Sequence, residues 1–197
     1  MDLNGKSRVM AAGFLILSSS LSCQTGPNVV IHESESLTVV LRELPAGYPS
    51  LEPHQHPYPI TAKEILGILE SLQYDAGSFM PFSSGQARRV FTKRQADLLA
   101  PQLSNALSEV GPQLAVAFSV ADEERPDRRT KGFAFVRKDE LHLIIEELRK
   151  PWYEGEQKSY QQDVSRWELL PGDRQRHYTT RPGGKGVVTN WIITPLQ

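Results

Sequence analysis

Cysteine is almost missing from this chain: Cys23 is the only one in 197 residues. No intramolecular disulfide can form, and cysteine-based zinc sites are excluded. Net charge is almost missing too, at −1, so nothing draws the chain as a whole toward nucleic acid and no nucleic-acid partner is expected. The segment removed by processing at residue 22 would carry Asp2, Lys6 and Arg8 with it, leaving the remainder one unit more negative. No apolar run reaches the roughly 20 residues that a spanning helix needs. Two chemical motifs are absent as well. There is no Gly-x-Ser-x-Gly nucleophile elbow. Gly183-Gly184-Lys185-Gly186 lacks both the earlier glycine and the following Ser/Thr of a phosphate-binding loop. No internal repeat of fixed period occurs. What is present is an ordinary globular composition, 39% hydrophobic and 23% charged, long enough to bury a core without disulfides.

The first 22 residues differ from the rest. Lys6 and Arg8 make a short positive stretch, Val9 to Leu17 a compact apolar one, and Ser18 to Ser22 a small, polar one. Charge keeps the first zone on the cytoplasmic side while the apolar zone enters the bilayer, which is the pattern of a secretory signal.

This segment ends in Ser20-Leu21-Ser22-Cys23, which resembles the lipobox of bacterial lipoprotein precursors. Ser20 and Leu21 stand in the reverse of the commonest order, as the looser form of the motif allows. The resemblance covers residues 1–23 alone and names no family for the rest. It implies diacylglyceryl transfer to the Cys23 thiol, cleavage before Cys23, and anchoring by two or three acyl chains including palmitate-like ones, each buried CH2 contributing about 0.8 kcal/mol. Gln24 follows where aspartate would favour inner-membrane retention in enteric bacteria. The resemblance therefore implies the periplasmic face of an outer membrane, where the organism has one.

The expected organisation is a signal peptide at 1–22, a lipid-anchored tether at 23–28, and one α+β domain at 29–197. Val29 to Ile31 and Leu37 to Leu41 read as β-branched strands. Prolines 45, 49, 53, 57 and 59 demand an irregular loop over 45–59. Thr61 with Glu64, and Thr92 with Gln95, form capping boxes for two amphipathic helices. Ile65, Leu66, Ile68, Leu69 and Leu72 line the first, and Leu99, Leu103, Ala106, Leu107 and Val110 the second. Pro101 should kink the second helix. Phe79 to Phe82 and Arg88 to Phe91 suggest a strand pair. Leu114 to Val120, Phe133 to Arg137 and Glu140 to Leu148 read as strands, with a charged hairpin loop over 121–131. Late strands are expected at 167–170 and 187–193, separated by a basic, glycine-rich loop. The expected architecture is an antiparallel sheet with both helices packed on one face.

Candidate functional residues are few. His54-Gln55-His56 is the one His-x-His pair. On an extended segment both rings point the same way and could share a metal, but zinc needs a third protein ligand, and the spacing alone favours a proline-rich surface loop. His142 reads as a structural or surface histidine. Arg174, Arg176, His177, Arg181 and Lys185 form one basic patch, and Arg125, Arg128, Arg129 and Lys131 another; either could meet phospholipid headgroups or an acidic partner, or be a solvated loop. Trp152 follows Pro151 and could anchor a partner or cover a sheet edge. Glu146 and Glu147, as neighbours on a strand, should point to opposite faces. No catalytic set assembles and no cofactor is expected. The leading expectation is a non-catalytic lipoprotein that binds or scaffolds an envelope partner. The alternatives are a small-ligand or metal-binding lipoprotein using His54 and His56, and a hydrolase whose residues meet only in the fold.

Overall fold

The computed structural model describes residues 28–49, 51–77, 86–152 and 167–196. Ten strands and two helices follow one another along it. β1 (Val29–Glu33) and β2 (Leu37–Arg42) precede α1 (Ala62–Ser71). β3 (Gln73–Asp75) and β4 (Ala87–Arg89) precede α2 (Lys93–Glu109). Then come β5 (Ala115–Ala121), β6 (Arg128–Arg137), β7 (Glu140–Pro151), β8 (Glu168–Leu170), β9 (Arg176–Arg181) and β10 (Lys185–Pro195). Seven strands form one antiparallel sheet in the order β1-β2-β5-β6-β7-β10-β9, and β4-β3-β8 form a small second sheet. The fold is α+β, as the pattern of strands and capped helices predicts.

The helices begin where their capping residues place them. Thr61 Oγ1 accepts the Glu64 N–H at 3.2 Å. At α2, Thr92 and Gln95 close a reciprocal capping box. This satisfies donors that the first helical turn leaves open, worth about 1 kcal/mol per cap. α2 continues through Pro101 to Glu109. Its Leu99, Leu103, Ala106 and Leu107 join Ile65 and Leu69 of α1 against Leu37, Val39, Val116, Phe118, Leu141 and Leu143 of the sheet. Each fully buried Leu, Ile or Phe contributes roughly 1.5–3 kcal/mol, so this layer carries most of the stability.

The opposite face of the sheet is also apolar at one end. Ala115, Ala117, Phe133, Phe135, Ile144, Trp191 and Ile193 form a second cluster, against which Leu44, Tyr48 and Leu51 pack. The segment from Leu44 to His56 is therefore a strap that covers the helix-free face. It is irregular, as its prolines require, and the Glu52–Pro53 and His56–Pro57 peptides are cis. It is not the surface loop that its composition suggests, because His54 and His56 are 4% and 9% exposed. Its backbone adds to the sheet beyond the end of β5: the Gln55 N–H donates to Val136 O and the His54 N–H to Pro112 O, both at 2.8 Å.

Four further expectations change. β6 starts at Arg128, so the charged hairpin loop is shorter than 121–131. β9 occupies much of the supposed basic loop before β10. β4 pairs with β3, whereas the other half of the expected strand pair, Phe79 to Phe82, lies outside the described residues. The fourth change concerns Glu146 and Glu147. Ile145 and Leu148 both pack on the helix-side cluster, with two residues between them where alternation allows one. The register agrees: Gly132 pairs Ile145 while Lys131 pairs Glu147. A β-bulge at Glu146 therefore turns both carboxylates to the same, helix-free face.

Candidate functional site

The bulge brings together a set of partly buried charges. Glu146 and Glu147 on β7 face Arg42 on β2 and Lys131 on β6, with Thr38 and Ser119 beside them, around a groove of about 280 Å³. Lys131 Nζ lies 3.0 Å from Glu147 Oε2, and Lys150 Nζ 3.6 Å from Glu147 Oε1. Arg42 Nη2 stands 3.8 Å from Glu146 Oε2, and its guanidinium carbon lies 4.7 Å from the centre of the Phe133 ring. Burial raises the pKa of Glu146 above the ordinary carboxylate value, with Glu147 adding to the rise and Arg42 opposing it. At the strap end, burial pushes the Tyr48 phenol up to about 12, aided by the Glu146 charge and opposed by a hydrogen bond with Asn190. The groove offers paired charges and hydroxyls. Such groups are able to form ion pairs and hydrogen bonds, and no imidazole lines the groove.

His54 and His56 stand elsewhere. His56 Nε2 accepts the Val136 N–H at 2.9 Å. The ring proton is therefore on Nδ1, which donates to Leu114 O at 3.2 Å. Both nitrogens are occupied in joining the strap to β6 and to the segment before β5. His54 lies over Phe135, with ring centres 4.4 Å apart, and neither of its nitrogens has a partner among the described residues. Phe135 in turn stacks on His142 at 4.8 Å. His142 Nδ1 accepts the Trp191 Nε1–H at 3.2 Å, and Tyr178 stacks on Trp191 at 4.0 Å. Burial lowers the pKa of His54 to about 4 and that of His142 to about 3, and it lowers that of His56. Among the described residues no three His, Cys, Asp or Glu side chains converge to hold a metal.

The basic patches divide in the same way. Arg176 donates to both carboxylate oxygens of Glu140, at 2.9 and 2.7 Å, across the sheet. Arg181 and Lys185 are exposed and pair in register at the end of the β9–β10 hairpin. Arg174 is exposed on the turn before β9, away from both. Arg129 donates to Glu35 O and lies over the Trp152 ring at 5.3 Å. Trp152, at 43% exposed, thus stacks with a cation beside the β6–β7 pair. Cys23 lies outside the described residues.

The Glu146–Glu147 pair was missed by simple alternation, although a signal for it existed. Gly132 interrupts an otherwise branched and aromatic strand, and an isolated strand glycine marks a bulge or a close backbone approach. Here a Cβ on Gly132 would lie 2.1 Å from Ile144 O. Tyr48 and Asn190 carry no local motif; only the folding of the strap brings them together.

No family model matches the chain, and neither the curated proteins nor the solved structures contain a match to it.

Proposed function

We propose that this chain is a lipid-anchored lipoprotein of a bacterial envelope whose folded domain binds or scaffolds an envelope partner without catalysis. The observation that carries the reading is the apolar run from Val9 to Leu17 leading into Ser22-Cys23. The spacing that follows supports it. Residues 24–28 precede β1, which begins at Val29, and five residues reach about 18 Å at full extension. A domain so tethered sits at the membrane surface, where two or three acyl chains on Cys23 hold it. The groove of Arg42, Lys131, Glu146 and Glu147 supports a binding role, since its charges are paired with one another and hydroxyls of Thr38 and Ser119 stand beside them.

The test is Cys23→Ser in a bacterial host supplied with labelled palmitate. The native chain is expected in the membrane fraction carrying label. The variant is expected to lose the label and to leave that fraction. Label retained by the Cys23→Ser protein contradicts acylation at this residue.

A further inference from the structure

The two faces of the seven-stranded sheet are covered in different ways. On one, α1 and α2 close over aliphatic and aromatic side chains, none of which gains a proton in mild acid. On the other the cover is the strap, and three buried histidines lie at its contact with the sheet. Leu44, Tyr48 and Leu51 pack with Phe133, Phe135, Ile144 and Trp191. Further along the strap, His54 lies on Phe135, and His56 stands beside His54 with ring centres 5.5 Å apart. Phe135 in turn stacks on His142 of β7.

None of the three rings has a place for a second proton. His56 Nε2 is filled by the Val136 N–H, and its Nδ1 already donates to Leu114 O. His142 Nδ1 is filled by the Trp191 Nε1–H. His54 has no hydrogen-bond partner on either nitrogen among the described residues. The charges that face these rings are unfavourable to a proton as well. Arg137 on β6 faces His54 and His142, Arg176 on β9 faces His142, and His54 faces both other histidines. Glu140 on β7 is bonded by Arg176, and Asp139 on the β6–β7 turn is bonded by Gln55 and Tyr58. Glu52 on the strap is exposed. A charged ring here would be buried, without an acceptor, and beside arginines or another imidazolium.

We propose that the strap is an acid-released cover: protonation of His54 and His56, and of His142 beneath them, lifts the strap while α1, α2 and the sheet stay folded, uncovering Phe133, Phe135, Ile144 and Trp191. Once the strap lifts, the rings meet water and accept protons at the ordinary histidine value, so release becomes easier as pH falls below about 6.5. Each ring that titrates only in the released state makes release up to about tenfold more frequent per pH unit. The separate core on the helix side is what allows the opening to be local. The device is independent of the groove at Glu146 and of the anchor at Cys23.

The test is amide hydrogen exchange of the full chain at pH 6.5, 5.5 and 4.5, corrected for the intrinsic rate at each pH. The His54 and Gln55 amides, which bond to Pro112 O and Val136 O, are compared with those of Leu103 and Leu107 in α2. The strap amides are expected to open more often than the helix amides at every pH. Their opening is expected to rise by about tenfold or more between pH 6.5 and 4.5. His54→Phe keeps a ring on Phe135 without the titrating group, and it is expected to flatten that rise while Leu103 and Leu107 stay protected. Equal protection of strap and helix at every pH would show that the strap opens only when the domain unfolds, and would overturn the proposal. Strap opening that does not change with pH overturns it too, and a rise undiminished in His54→Phe contradicts the role given to His54.

Discussion

Gly132→Ala is expected to destabilise the domain by about 3 kcal/mol or more, at the upper end of the effect of overpacking a core. The added Cβ would lie 2.1 Å from Ile144 O and 2.7 Å from Phe118 Cζ. The first contact is with backbone that already belongs to the β6–β7 ladder, so no side-chain rotation relieves it. Phe118 is 3% exposed and packed in the helix-side cluster, so it has little room to retreat. For a domain of this size 1 kcal/mol corresponds to roughly 2–4 °C in melting temperature, and thermal denaturation should show a drop of about 6–12 °C. A Gly132→Ala protein that melts like the native chain would mean that β6 and β7 do not approach as described. The bulge that turns Glu146 and Glu147 to one face would then lose its support.

Acid should unfold the protein through the histidines of the strap and its underlying sheet. His54, His56 and His142 all have folded-state pKa values below the ordinary 6.5, with burial the largest cause in each case. The unfolded chain therefore takes up these protons more readily than the folded one. The stability that the neutral rings contribute is complete above about pH 6.5. It is lost progressively as pH falls toward 4 for His54 and toward 3 for His142. The loss amounts to about 1.4 kcal/mol per pH unit for each histidine that is protonated only on unfolding; His54 and His142 together consume a large part of the roughly 5–15 kcal/mol that a domain possesses, and His56 acts in the same direction. The geometry explains why no proton is welcome: His56 Nε2 and His142 Nδ1 are both acceptors, and His54 is buried against Phe135 with no hydrogen-bond partner among the described residues. Denaturant unfolding between pH 6.5 and 4.5 should show this slope, and His54→Phe should reduce it by about 1.4 kcal/mol per pH unit. An identical slope in His54→Phe would show that His54 is accessible to protons in the folded state.

These two expectations also mark what was legible in the sequence. The helices were, because Thr61 and Thr92 are local signals whose partners lie three residues away. So were β5 and the β6–β7 hairpin, where alternation of large apolar and small or polar residues records which side is buried. The strap was not. Prolines 45 to 59 report that regular structure is impossible there, but they do not say what the segment covers. That is set by Phe133, Phe135 and Trp191, which are far away along the chain. For the same reason His54-Gln55-His56 read as part of a proline-rich surface loop, whereas His56 bonds to Val136 and Leu114 and His54 lies buried on Phe135. Glu146 and Glu147 were misplaced because strict alternation cannot register one extra residue, and the glycine that permits it sits on the neighbouring strand. The basic patch over 174–185 was read as one unit. It divides because Arg176 lies on β9, within reach of Glu140, whereas Arg174 lies on the turn before it.

The anchoring proposal is tested most directly by the intact mass and N-terminal fragments of the chain recovered from membranes of an expressing bacterium. The expected result is a protein beginning at Cys23 and heavier than residues 23–197 by a diacylglyceryl group, with or without a further acyl chain on the amino group. A chain that retains residues 1–22, or one that begins elsewhere with an unmodified Cys23 thiol, contradicts it.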